Sequence, residues 1–192
     1  MIESLKIENF KAWRSTGELR LAPLTVLFGT NSAGKTSLTQ FLLMLKQTIE
    51  SSDRTRVLHP GDTKTLADLG TFRDLVFDHK LDLPLSFRVS LDLPSKLSVK
   101  DPQTAHTITS SQIAFEARIQ QHATTRGRER LRVESMCYEL FDGANETLAI
   151  GMKADMTTAT IRSKDKYRLN ACLLYTSPSP RDRTRSRMPS SA

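Results

Sequence analysis

Apolar and polar residues change their rhythm twice along this chain. At the start they alternate: Leu5 and Ile7 flank Lys6 and precede Glu8, and Leu19 and Leu21 are interleaved with Glu18 and Arg20. A period of two places successive side chains on opposite faces of a strand, so two short strands are expected, joined through residues 11–17. Leu24-Thr25-Val26-Leu27-Phe28 is a short apolar run, the pattern of a parallel strand buried on both faces. The rhythm then turns helical. Leu38, Phe41, Leu42, Leu45 and Ile49 recur at helical spacing and predict a helix that buries this face. Residues 51–70 are polar and turn-rich, with Ser51-Ser52-Asp53 and His59-Pro60-Gly61-Asp62, and predict a long surface connection.

From Leu85 the period returns to two. Leu85, Phe87, Val89 and Leu91 alternate with polar residues, as do Ile113, Phe115, Ala117 and Ile119, then Leu131 and Val133, then Leu148, Ile150 and Met152. Thr158, Thr160 and Arg162 read as a more polar last strand, and Asp142-Gly143 marks a hairpin turn. An antiparallel meander following an α/β start predicts one mixed α/β (α+β) domain over residues 1–171. Residues 1–50 supply strand, loop and helix, and residues 84–163 the antiparallel strands. No repeat at solenoid spacing is visible.

Composition narrows this picture only slightly. The chain has 192 residues, of which 38% are apolar, enough for one domain with a core. Its formal charge of +7 is partly concentrated in residues 172–192, where four arginines face only Asp182. The remaining excess reads as solvated surface before it reads as a nucleic-acid footprint, so a nucleic-acid partner stays open on charge alone. No apolar stretch approaches the roughly 20 residues a membrane-crossing helix needs, and the first residues lack a secretory leader pattern, so no membrane partner is expected. Cys137 and Cys172 form neither a metal-ligand pair nor a disulfide framework, in keeping with a reducing, cytoplasmic compartment.

One motif names a chemistry. Gly29-Thr30-Asn31-Ser32-Ala33-Gly34-Lys35-Thr36 fits G-x-x-x-x-G-K-[ST], the loop that cradles the phosphates of a nucleoside triphosphate. Its backbone N–H groups are the donors, and the two glycines let the main chain approach without side-chain clash. Lys35 would carry its ammonium to the outer phosphates, the Thr36 hydroxyl would hold Mg²⁺, and Ser37 follows directly. The predicted helix starts here, where amide donors and helix dipole both favour an anion.

The surroundings of that loop resemble a known family. Leu5-Lys6-Ile7-Glu8-Asn9-Phe10-Lys11-Ala12-Trp13, followed by residues 24–38, is similar to the start of ABC-class (AAA-type) P-loop ATPases of the SMC, RecF and OLD type. There an opening strand leads into an Asn-Phe-basic-x-aromatic turn, and the phosphate loop carries Asn third. Asp68-Leu69-Gly70-Thr71-Phe72-Arg73-Asp74-Leu75-Val76 resembles a segment that follows the first helix in OLD-like ATPases. The resemblance covers about residues 1–95. It implies the N-terminal lobe of an ABC ATPase with an antiparallel β-subdomain, truncated here. It also implies ATP and Mg²⁺ as cofactors, head-to-tail homodimerisation of the complete protein around nucleotide, and coupling to DNA processing or phage defence. Lys11, Trp13 or Arg14 would then approach the base or phosphates; alternatively Trp13 caps the core edge and the two charges are solvated, with Gly17 serving a turn.

The catalytic complement of such an ATPase is not legible. Leu75-Val76-Phe77-Asp78-His79 imitates an apolar strand ending in acid and histidine, but its run is short and no second carboxylate follows Asp78. Gln103, Gln112, Gln120 and Gln121 give no clear nucleotide-sensing glutamine, and His106 and His122 read as surface residues. The base readers of a small GTPase and the lid arginines of a kinase are not found either. The alternative function is therefore a nucleotide-binding or interaction fragment without turnover. Residues 172–192 resemble a translated sequencing-library adapter, so they are expected to add nothing to the fold, with the native protein continuing past Ala171.

Overall fold

The alternation in the first twenty residues produces a hairpin. β1 (Ile2–Phe10) and β2 (Trp13–Arg20) pair antiparallel and close at Phe10 opposite Trp13. The computed structural model describes residues 1–53, 56–100, 107–123, 129–153 and 160–163. Its period-two segments become β3 (Leu85–Lys100), β4 (Thr107–Ala123), β5 (Glu129–Asp142), β6 (Asn145–Lys153) and β7 (Thr160–Ser163). Together they form one seven-stranded sheet in the order β2-β1-β3-β4-β5-β6-β7, with every neighbouring pair antiparallel. The turn expected at Asp142-Gly143 is the two-residue link between β5 and β6, where Asp142 lies opposite Asn145.

This corrects the expected layout in two places. The opening strands are not a separate α/β start: β1 lies beside β3, with Ile7 opposite Phe87, so the hairpin extends the meander itself. Nor does Leu24–Phe28 form a strand. Leu24 is 83% exposed and Phe28 90%, and the chain leaves β2 through a local turn in which Ala22 and Thr25 are bonded to each other. A run that is apolar on both faces needs a neighbour on each side, and among the described residues none runs alongside it.

α1 (Lys35–Glu50) packs on one face of the sheet at the β1 and β3 end. Phe41 of this helix stands edge-on to Phe10 and Phe87, with centroids 5.2 and 5.3 Å apart, and the contacts continue through Phe115 to Tyr138. Such edge-to-face pairs add to the burial of Leu5, Ile7 and Leu85 around them. Leu38 and Phe41 are buried as the helical spacing predicts, and Leu42 and Leu45 are half-buried. Ile49, however, is 73% exposed, and the inward stripe instead takes in Met44 and Gln47.

The reason is the segment after the helix, which is no loose surface connection. Gln47 Nε2 donates to the carbonyls of His59 (2.6 Å) and Ala67 (3.1 Å), and its Oε1 accepts from Ala67 N–H (3.3 Å). His59 N–H donates to Thr48 Oγ1 at 2.9 Å. A single amide side chain thus binds both ends of a loop to the helix, which carries Leu58 and Leu69 into the core. The chain then forms α2 (Phe72–Leu75), whose Phe72 and Leu75 are buried, and a 3₁₀ turn at Phe77–His79.

The opposite face of β1, β3 and β4 is charged. Lys6 pairs with Glu8 at 2.8 Å, Ser86 Oγ donates to Glu8 at 2.9 Å, and Arg88 bridges Glu116 and Glu139. Lys6, Glu8, Ser86, Arg88 and Glu116 line a shallow cleft of about 70 Å³. The Lys6 hydrogen bond holds the Glu8 carboxyl below its ordinary range, against the opposing effect of partial burial.

The loop held by Gln47 contains the tightest backbone approach. Gly61 has φ +108°, and a Cβ there would lie 1.7 Å from the Ala67 carbonyl oxygen. Gly143 also has positive φ, but nothing lies within 4 Å of a Cβ at that position. Gly143→Ala is expected to lose about 1 kcal/mol, the strain of a left-handed residue alone. Gly61→Ala must also displace backbone and is expected to lose more than about 2 kcal/mol. Urea unfolding of the two variants measures the difference directly.

Candidate functional site

The loop of residues 29–36 lies between the exposed 24–28 segment and the first turn of α1, and from Gly29 to Ala33 it is open to solvent. Gly34 is the residue on which the helix starts, with φ +83° and ψ +9°, and no side chain caps it. The first helical turn contains no acidic residue. A 16-residue helix therefore presents its first N–H groups and the positive end of its dipole without a carboxylate of its own to satisfy them. Lys35 Nζ reaches back across the loop and donates to the carbonyls of Gly29 (2.8 Å) and Thr30 (2.6 Å). Ala33 N–H bonds to Thr30 O, which folds the loop tightly around that ammonium. Thr36 is exposed at the mouth. Ser37 is turned to the core, and its N–H donates to Gly34 O at 3.1 Å.

The Asn-Phe-Lys-Ala-Trp turn supports this loop from behind. Asn9 adopts φ +58°, a region asparagine tolerates better than most residues, and its buried amide donates to Leu83 O at 2.8 Å. Phe10 is fully buried against Phe41. Lys11 N–H donates to Leu75 O at 2.7 Å. Trp13 Nε1 donates to Gly34 O at 3.1 Å, and the indole is half-buried on the core. Trp13 caps the core edge, and its indole N–H also bonds the loop backbone. For Lys11 the structure shows a backbone contact to α2. The segment at residues 68–76 matters for the same reason: Leu69, Phe72, Leu75 and Val76 are core residues that carry the Leu75 carbonyl to this turn.

Other candidates are placed elsewhere. Asp78 is exposed in the 3₁₀ turn and pairs with Lys80 at 2.8 Å. Asp142 sits at the β5–β6 turn and pairs with Lys96 at 3.1 Å. Gln112 donates to Glu3 and Asp92, Gln120 donates to the carbonyls of Leu81 and Asp82, and His122 stands 3.8 Å from Glu134 on the β4–β5 hairpin. None of these contacts reaches the loop of residues 29–36. Thr158, Gln103, His106, Cys172 and the segment 172–192 lie outside the described residues. Among the described residues no group of three or more His, Cys, Asp or Glu is placed to hold a metal, and no helix is long and apolar enough to cross a membrane.

The family model of the AAA ATPase domain matches residues 1–176. The chain belongs to that family. No curated protein shows significant similarity to it. Membership of the AAA ATPase domain family brings nucleotide use, and the donor set at the start of α1 fits a polyphosphate: uncompensated helix amides, one ammonium and one hydroxyl within consecutive residues. Sequence reasoning singled out residues 29–36 but missed two long-range restraints, the Leu75 carbonyl that holds the Lys11 turn and the Gln47 amide that holds residues 59–67 to α1. Both act through hydrogen bonds between distant segments, and neither leaves a spacing signal in the chain.

Two outcomes test this arrangement. In Asp74 the carboxylate accepts from Thr71 Oγ1 (2.7 Å) and from Thr71 N–H (2.8 Å), and these bonds lower its pKa from 3.8. A depressed folded-state value makes this contribution complete above the ordinary aspartate range and removes it as pH falls through the depressed value. Asp74→Asn should accordingly flatten the acid limb of a stability-against-pH curve. Gly34→Ala would place a Cβ 2.7 Å from Trp13 Nε1 and 3.1 Å from Ala12 Cβ on a left-handed backbone. Its thermal midpoint should fall well below that of Gly143→Ala, whose Cβ meets open space.

Proposed function

We propose that this AAA ATPase domain binds ATP·Mg²⁺ through Gly29, Thr30, Asn31, Ser32, Ala33, Gly34, Lys35 and Thr36, with Ser37 fixing the first turn of the helix behind them. The single observation that carries the reading is the uncapped, acid-free N-terminus of α1 with Lys35 folded over the same loop. Loop amides and Lys35 would hold the phosphates, and the Thr36 hydroxyl would be the protein's ligand to Mg²⁺. A bound magnesium ion draws charge from the phosphate oxygens, and the chain's part is to orient them and keep Lys35 in contact. The Asn9-to-Trp13 turn supports the finer assignment to the SMC, RecF and OLD type. With it come a nucleotide-dependent homodimer and work on DNA, phage defence included, in the cytoplasm.

A second reading, nucleotide binding without turnover by this chain, is favoured by one observation. The two carboxylates nearest to a catalytic pattern in the sequence, Asp78 and Asp142, are engaged by Lys80 and Lys96 away from the loop. Among the described residues, charge on a transferring phosphoryl group would meet Lys35 and loop amides.

Calorimetric titration with ATP·Mg²⁺ tests the first reading. Lys35→Ala should weaken binding at least about tenfold, since it removes the one cation in the loop. Equal affinities in wild type and variant reject it. Phosphate release over a wide protein concentration range tests the second, with the same variant as blank. No excess over the blank is expected, and turnover that depends on Lys35 would overturn it.

A further inference from the structure

We infer that Trp13 is a positioning residue for the phosphate-binding amides, holding the Gly34–Lys35 peptide in one orientation; this rests on the nucleotide reading of the loop given above. Gly34 O accepts two hydrogen bonds, from Ser37 N–H at 3.1 Å and from Trp13 Nε1 at 3.1 Å. In a trans peptide the carbonyl and the following N–H point to opposite sides. Binding the carbonyl to the indole therefore directs Lys35 N–H away from Trp13, leaving that donor free for an anion. Ser37 N–H supplies the local bond to this carbonyl, and the indole adds a second restraint from 21 positions earlier in the chain.

Steric fit points the same way. A Cβ on Gly34 would lie 2.7 Å from Nε1 and 3.0 Å from Cε2 of Trp13, so indole and Ala12 occupy the volume a side chain at position 34 would need. The indole is itself anchored. Trp13 lies opposite Phe10, which is fully buried, and the Lys11 N–H bond to Leu75 O ties the turn to α2. A residue that only filled the core edge would need the ring and not its N–H. The ring nitrogen is where the two roles separate.

The experiment replaces Trp13 in the full 192-residue chain with benzothienylalanine, which keeps the bicyclic shape and lacks the N–H donor, and uses Trp13→Phe as a second variant. Affinity for ATP·Mg²⁺ is measured by calorimetry, with thermal unfolding as the check on packing. Trp13 is the single tryptophan of the chain, so its emission in the wild type reports on this contact alone. Both variants are expected to bind ATP·Mg²⁺ about fivefold more weakly, the worth of one hydrogen bond, while the benzothienyl variant keeps its unfolding midpoint. Wild-type emission should shift along the same binding curve. Unchanged affinity in the benzothienyl variant, or emission that ignores saturating ATP·Mg²⁺, overturns the inference and leaves the nucleotide reading standing. A wild type that binds no better than Lys35→Ala removes both.

Discussion

A helix that begins without a capping side chain must be held at its N-terminus from outside, and the rest of this domain is arranged around that need. Gly34 takes the left-handed conformation that lets the chain turn into α1, and the tight fit of Trp13 and Ala12 leaves no room for a side chain there. A capping serine or aspartate would satisfy the helix amides itself and use up the donors an anion requires. The protein holds the turn through the Gly34 carbonyl instead, from the indole of Trp13. The amides stay available and the backbone stays fixed. That combination is what a phosphate cradle demands.

The sheet makes this support stiff. β1 is hydrogen-bonded on both sides, to β2 and to β3, so the turn at residues 9–13 joins an interior strand to the edge strand that begins with Trp13. Below it, Phe10, Phe41 and Phe87 lock the sheet to the helix, and Leu75 O fixes the turn from α2. On the far face, Arg88 between Glu116 and Glu139 joins three neighbouring strands by charge. Arg88 and Glu139 are partly buried, and opposite charges placed across neighbouring strands favour the register in which they meet.

Much of this was legible in the sequence, because periodicity reports burial directly. Leu85, Phe87 and Val89 alternate into the core as their spacing predicts, and the loop of residues 29–36 falls at the start of α1. What failed did so for a physical reason. The apolar run Leu24–Phe28 reads as a buried strand, but a strand is a property of its neighbours, and the described residues supply none beside it. Ile49 fits the helical face by spacing and is exposed, because Gln47, a polar residue that no hydrophobic pattern selects, turns inward to bind His59 O and Ala67 O. Residues 58–69 look like solvated loop by composition and carry core side chains for the same reason. The supports of the site were hidden likewise: Leu75 contributes its backbone oxygen, which leaves no trace in residue type.

The central claim is that the start of α1 is a phosphate site held open by its surroundings. Amide hydrogen exchange, compared with and without saturating ATP·Mg²⁺, tests it most directly. Protection should rise at residues 30–37 and at the 11–13 turn behind them, while the β4–β6 amides exchange as before. Protection spread evenly over the sheet, or none at residues 30–37, would contradict the account.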